Sequence, residues 1–145
     1  MELSGVRLLA DRLLNRHELF EKGWRFSFDR AKRRAGSCKF SKKEITLARD
    51  YAEQEDFKEI KNTILHEIAH ALVGPKHGHN EIWRQKALEI GCDAERCHYV
   101  VFSKPKYKMT CINRCFEVAR YRVNQNFLHS RICSKCKGKL LIFDI

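Results

Sequence analysis

The sequence predicts an α+β fold in two parts, and three observations carry the prediction. Between residues 24 and 48, short stretches alternate apolar and polar side chains with the period of strands. Two flanking stretches instead space their apolar residues three and four apart, as helices do. The composition then changes near residue 103. Residues 1–103 hold 19 Lys+Arg against 16 Asp+Glu, whereas residues 104–145 hold 10 against 2, together with four of the seven cysteines. A chain of 145 residues that is 43% hydrophobic has enough apolar matter for one packed core and a small satellite, so disorder is excluded. The expected division is residues 1–103 and 104–145, with Lys104-Pro105-Lys106 at the boundary.

Leu3, Val6, Leu9, Leu13 and Leu14 lie at helical spacing, which predicts a helix from Glu2 to about Lys22, ended by Gly23. Trp24 to Phe28 alternates as a strand. A basic turn follows, carrying Arg30, Lys32, Arg33 and Arg34. Ser37 to Phe40 and Glu44 to Ala48 are two further strands, and the three together read as a meander. Phe57 to Val73 is the clearest helix: Ile60, Ile64, Ile68 and Leu72 form one stripe, and Gly74-Pro75 stops it. Asn80 to Ile90 reads as another helix with Trp83, Ala87 and Ile90 on one side, ended by Gly91. Tyr99 to Phe102 reads as a strand or as the linker into the tail.

The clearest helix carries His66-Glu67-Ile68-Ala69-His70. A four-residue interval places both imidazoles on one helix face, about 6 Å apart, where they can share one ion. Glu67 stands about 100° round the axis, beside the ion rather than on it, where it can move a proton between a water and a leaving amine. The apolar stripe buries the opposite side. A pair of surface histidines beside a solvated glutamate is the bland alternative. Against it stand the strength of the helix, its prompt end, and the further histidines that follow. A catalytic zinc needs a third protein ligand and one open position, and His77, His79, Glu81 and Glu89 are the candidates. A metzincin would have Gly at 73 and His at 76; this chain has Val73 and Lys76.

These residues resemble a family. Thr63 to Leu72, then Gly74-Pro75, and Gly78-His79-Asn80-Glu81-Ile82-Trp83 look like the SprT-like metalloproteases, whose members digest proteins crosslinked to DNA. Gly23-Trp24 with Phe26 and Phe28, Arg34 with Gly36, Ile45 with Leu47, and Ala87 to Gly91 extend the likeness over most of the chain. The resemblance implies a zincin-like catalytic domain with a small three-stranded sheet. It also implies that the third ligand is the histidine followed four residues later by an aromatic. His79 with Trp83 has that spacing, so His66, His70 and His79 are expected on the catalytic zinc, with His77 as the alternative and Glu67 as general base. The oxyanion-stabilising group is open between Tyr51, Tyr99 and a backbone N–H.

In the tail, Cys133-Ser134-Lys135-Cys136 before Gly138 reads as a zinc knuckle, whose backbone N–H groups can point at sulfur. Cys111 and Cys115 are its natural partners, giving a closed, structural zinc site. Short SprT-like proteins carry such a C-terminal zinc ribbon, usually with a two-residue gap where this chain has three. Cys92, Cys97, His98 and His129 compete for ligand roles; Cys92 and Cys97 read as buried or partly exposed thiols, and Cys38 as a strand residue facing the core. A segment of about 40 residues has too little core to fold alone, and metal would supply the rest.

The basic tail points to a polyanion, even after a four-thiolate zinc site subtracts about two charges. Lys106, Lys108, Arg120, Arg122, Arg131, Lys135 and Lys137, interleaved with Tyr107, Tyr121 and Phe127, suit phosphates and unstacked bases of single-stranded or distorted DNA. The ordinary alternative is a solvated ribbon surface. The expectation is a zinc metalloendopeptidase with one catalytic and one structural Zn2+, cleaving DNA-bound protein in DNA–protein crosslink repair. The rival is a nucleic-acid-binding zinc protein whose histidine site is structural or inactive. No signal peptide and no apolar run of about 18–20 residues is present, so an intracellular protein in the DNA compartment is expected.

Overall fold

Residues 1–95 and 101–145 are described in the computed structural model. Cys97, His98 and Tyr99, and with Tyr99 the start of the strand expected from it, lie outside the described residues. The chain divides into two compact units, Met1–Phe102 and Ser103–Ile145.

Helix α1 (Leu3–Arg16) buries Val6, Ala10, Leu13 and Leu14. It is a turn and a half shorter than its periodicity predicts. Glu18 takes φ 62°, and the Leu19 N–H donates to the Leu14 carbonyl at 2.9 Å. The chain thereby folds back and buries Leu19, which a continued helix would have carried onward. Three strands follow: β1 (Arg25–Asp29), β2 (Gly36–Lys39) and β3 (Glu44–Ala48).

The sheet order is β1-β3-β2, with β1 parallel and β2 antiparallel to β3. The expected meander is therefore wrong. Ile45, Thr46, Leu47 and Ala48 are all buried, so β3 is covered on both faces and takes the centre. The loop 30–35 carries the chain past β3's place to the far edge. It is anchored on Asp29, whose carboxylate accepts the Ala31 N–H at 2.9 Å, the Arg34 guanidinium at 2.9 Å and the Thr46 hydroxyl at 2.7 Å.

Helix α2 (Arg49–Gln54) is short, and its sequence has no periodic signal. Helix α3 (Phe57–Val73) has the predicted bounds. Asp56 caps it by accepting the Glu59 N–H at 3.0 Å, and Gly74, at φ 94°, ends it. Ile60, Ile64 and Ile68 are completely buried. Each contributes roughly 1.5–3 kcal/mol of apolar burial, which fixes which face of α3 is left for chemistry. Helix α4 (Glu81–Glu89) is capped by the Asn80 side chain and buries Trp83 and Ala87.

The second unit contains β4 (Tyr107–Cys111), β5 (Glu117–Arg120), helix α5 (Gln125–Ser130) and β6 (Leu140–Asp144). Its sheet is antiparallel in the order β5-β4-β6. Met109, Cys111, Cys133 and Leu140 form its core, so two of its four buried apolar side chains are cysteines. Among the described residues, no helix is long and apolar enough to cross a membrane.

Candidate metal centres and the buried glutamate

His66 and His70 lie one turn apart on α3. The loop after Gly74 returns His79 to them just before Asn80 starts α4. The Nε2 atom of His79 is 3.0 Å from that of His66 and 3.1 Å from that of His70. One imidazole nitrogen carries one proton or one lone pair, so His79 Nε2 cannot satisfy both neighbours at once. A single cation can. Zinc–nitrogen bonds of about 2.1 Å at tetrahedral corners place the nitrogens about 3.4 Å apart, close to what is found. Burial, with His79 beside it, takes the His70 pKa down to about 4, so the ring is neutral at pH 7 and offers its lone pair. The three rings therefore fit a metal ion.

Glu67 is 8% exposed. Burial pushes its carboxyl up to about 7, and the Arg34 guanidinium pulls weakly the other way. Burial therefore favours the neutral acid in the absence of a nearby cation.

The remaining candidates lie elsewhere. His77 is half-buried and faces Asn80, its Nδ1 3.3 Å from the amide nitrogen. Glu81 faces Arg84 at 3.9 Å and Glu89 pairs with Lys86 at 3.0 Å. Tyr51 does not serve as an oxyanion donor: it is 1% exposed, and its hydroxyl is engaged with Thr63 at 2.7 Å and the Glu59 carbonyl at 3.3 Å.

Two arrangements beside the site could not be read from the sequence, although Trp83 itself was singled out there. Trp83 touches all three histidine rings, with centroids 4.6, 5.2 and 4.7 Å from those of His66, His70 and His79. Strand β2 lies at the edge of its sheet and against α3; a side chain at Gly36 would meet Thr63, one turn before Glu67, at 3.2 Å. The Ala48 N–H bonds to the Ala35 carbonyl, so the antiparallel alternation also bonds Ser37 to Thr46 and Lys39 to Glu44. Gly36 and Cys38 consequently direct their backbone N–H and C=O groups to the open edge. Cys38, two residues from Gly36, shares its face; burial and the Glu67 carboxylate raise its thiol pKa to about 12. The signal for this edge was the small pair Ala35-Gly36, but it needed the strand order to be read. Cys92 is buried, its thiol donating to the Asn62 carbonyl at 3.7 Å.

In the second unit, Cys111, Cys115, Cys133 and Cys136 bring their sulfur atoms within 4.8 Å of one another. Cys111 and Cys136 are 3.2 Å apart and unbonded. Backbone N–H groups of Asn113 and Gly138 point at Cys111 and Cys136 sulfurs at 3.2 and 3.3 Å. The Asn113 amide and the Cys111 thiol lead in taking the Cys136 pKa down to about 6, and Cys133 is lowered too, chiefly by the Cys136 N–H. Hydrogen bonding to Cys136, with burial behind it, pushes Cys115 the other way, up to about 12, so the proton is shared within the cluster; it is the convergence of four sulfurs with N–H donors that suits a metal ion. His129 lies on α5, outside this cluster.

Of the basic residues, Arg120 and Arg131 both lie over the Phe127 ring, at 5.7 and 5.2 Å. Arg120 and Arg122 also line a cavity of about 220 Å³ with Met109, Phe127 and Ile142. Lys135 and Lys137 stand exposed on the knuckle turn, Lys106 precedes β4, and Lys108 is ion-paired with Glu117.

A mixed α+β domain with three convergent histidines and a buried glutamate on one helix defines a metallopeptidase-like class. The chain belongs to the SprT-like family, a family of zincin-like metallopeptidases: the family model matches residues 6–103. No curated protein matches the chain.

Proposed function

We propose that the protein is a zinc-dependent endopeptidase that cuts proteins attached to DNA. The observation that carries this reading is the convergence of His66, His70 and His79, with the buried carboxyl of Glu67 next to His66 on the same helix. A zinc ion there would polarise the scissile carbonyl and make a water acidic enough, at a pKa of about 7, to be deprotonated. Glu67 accepts that proton and returns it to the departing amine nitrogen. The open edge of β2 holds the substrate chain: an extended peptide pairs with the N–H and C=O groups of Gly36 and Cys38, which fixes its scissile bond near Glu67. Such pairing reads backbone rather than side chains, so cleavage is loosely specific and must be restrained by access. The second unit, residues 103–145, is read as a zinc ribbon held by Cys111, Cys115, Cys133 and Cys136. Its Lys106, Lys108, Arg120, Arg122, Arg131, Lys135 and Lys137 supply the access by binding DNA, single-stranded or distorted, that carries the substrate.

The test compares wild type with Glu67→Gln on a DNA-bound protein, with and without single-stranded DNA, and measures zinc in both. Two zinc ions per chain in each, cleavage by wild type alone, and faster cleavage with DNA are expected. A loss of at least about 100-fold in rate is the expected effect of removing the base. Zinc in both proteins and no cleavage under any condition would leave a nucleic-acid-binding zinc protein instead.

A further inference from the structure

We infer that Trp83 is the positioning residue of the three-histidine site, holding the imidazoles in register for the metal. This rests on the metal reading of that site but not on its peptidase activity. Three observations combine. The indole is 1% exposed, yet its neighbours include all three candidate ligands rather than aliphatic core alone. It stacks on His70 at an interplanar angle of 23° and meets His79 edge-on at 85°, so one rigid plane limits both rings. Its Nε1–H donates to the His66 carbonyl at 3.3 Å, which ties α4 to α3 at a ligand-bearing residue.

The placement of Trp83 is itself fixed. Its backbone N–H donates to the Asn80 side chain at 3.2 Å, so the cap that starts α4 also sets where the indole enters. His79 precedes that cap directly. One turn of chain therefore carries both the third ligand and the plate that aligns it with the other two. The His70–Trp83 stack also closes one side of that ring to water. An ordinary core tryptophan would stabilise the packing of α3 on α4 and leave the ligand geometry to the metal. A positioning tryptophan holds the rings before the ion arrives, so its loss weakens metal binding itself. Groups that orient ligands in this way typically change metal affinity by about 10- to 100-fold.

The test uses the full chain carrying Trp83→Phe, which keeps a ring but removes the indole N–H and half the plate. Zinc loss to a chelator is followed in wild type and variant, with the four-cysteine site in the same chain as internal control. Cobalt(II) is then loaded and its visible absorption read. We expect zinc to leave the histidine site about 10- to 100-fold more readily in the variant, with a shifted cobalt spectrum and an unchanged four-cysteine site. Equal zinc retention and equal spectra, with only a lower unfolding temperature, would make Trp83 a core residue and overturn the inference. If the variant does not fold, Trp24→Phe leaves Trp83 as the single indole, the chain having two tryptophans. Its emission should then change with one equivalent of zinc at the histidine site; constant emission while zinc binds would overturn the inference. Failure of wild type itself to bind metal through its histidines would end both this inference and the metal reading; failure to cleave protein touches neither.

Discussion

At the scale of single residues, the site depends on which histidine completes the set. His77 and His79 differ by two positions and are chemically identical, yet only His79 reaches His66 and His70, at 3.0 and 3.1 Å. Gly78, at φ 52°, turns the loop between them so that the two side chains diverge. His79→Ala should therefore lose the histidine-site metal and at least about 100-fold in activity, whereas His77→Ala should keep both within about twofold. Metal analysis of the two purified variants checks this, and equal metal in both would mean that a ligand other than His79 completes the site. The sequence made His66, Glu67 and His70 legible because four-residue spacing on a strong helix is a local property. His79 was separable from His77 only through family resemblance, since loop geometry is not encoded in periodicity. Trp83 was visible as an apolar position on α4, but its contact with three rings depends on how α4 crosses α3.

At the scale of elements, the decisive contact is between the edge strand β2 and the helix α3. Helix α3 was read with its correct bounds from its stripe and its Gly74 stop, which lie in neighbouring residues; the Asp56 cap emerged only with the structure. The sheet was readable only as three strands. Their order follows from β3 being buried on both faces, and Glu44 to Ala48 gives that away only through its apolar run. The same contact leaves Gly36 no room for a side chain. A Cβ there would lie 3.0 Å from the Thr46 carbonyl oxygen and 3.2 Å from both Leu47 and Thr63 side chains. Since the backbone carbonyl cannot yield, Gly36→Val should push β2 off α3 at a cost of about 1–3 kcal/mol. The loss of thermal stability, several degrees for a unit of this size, is measurable by calorimetry. Activity should fall further than the folded fraction does if, as proposed, the displaced strand carries the edge that pairs with substrate. A variant as stable as wild type would show that the strand relaxes freely.

At the scale of the whole molecule, the two units owe their stability to different terms. Met1–Phe102 has a continuous core that includes Leu14, Leu19, Ile45, Leu47, Ile60, Ile64 and Trp83, all nearly inaccessible to solvent. Apolar burial on that scale outweighs chain entropy without help from a metal. Ser103–Ile145 has four buried apolar side chains, two of them the sulfur-bearing Cys111 and Cys133. Its β5 strand is exposed at every residue and α5 buries none. So few buried contacts leave a segment of about 40 residues short of the core that a unit of this size needs to fold alone. The four-sulfur site is the feature that would make up the shortfall, because a metal ion held by such ligands adds its binding free energy to folding. Stripping metal from the intact chain should therefore unfold the second unit and leave the first folded. Hydrogen exchange read segment by segment would show protection lost across β4, β5 and β6 but retained in α1, β3 and α3. Cys133→Ser should reproduce that pattern with metal present, because it removes a ligand and a core side chain together. Protection of β4 and β6 surviving in the metal-free chain would mean that the sheet holds itself, and that the cysteines serve some purpose other than its folding.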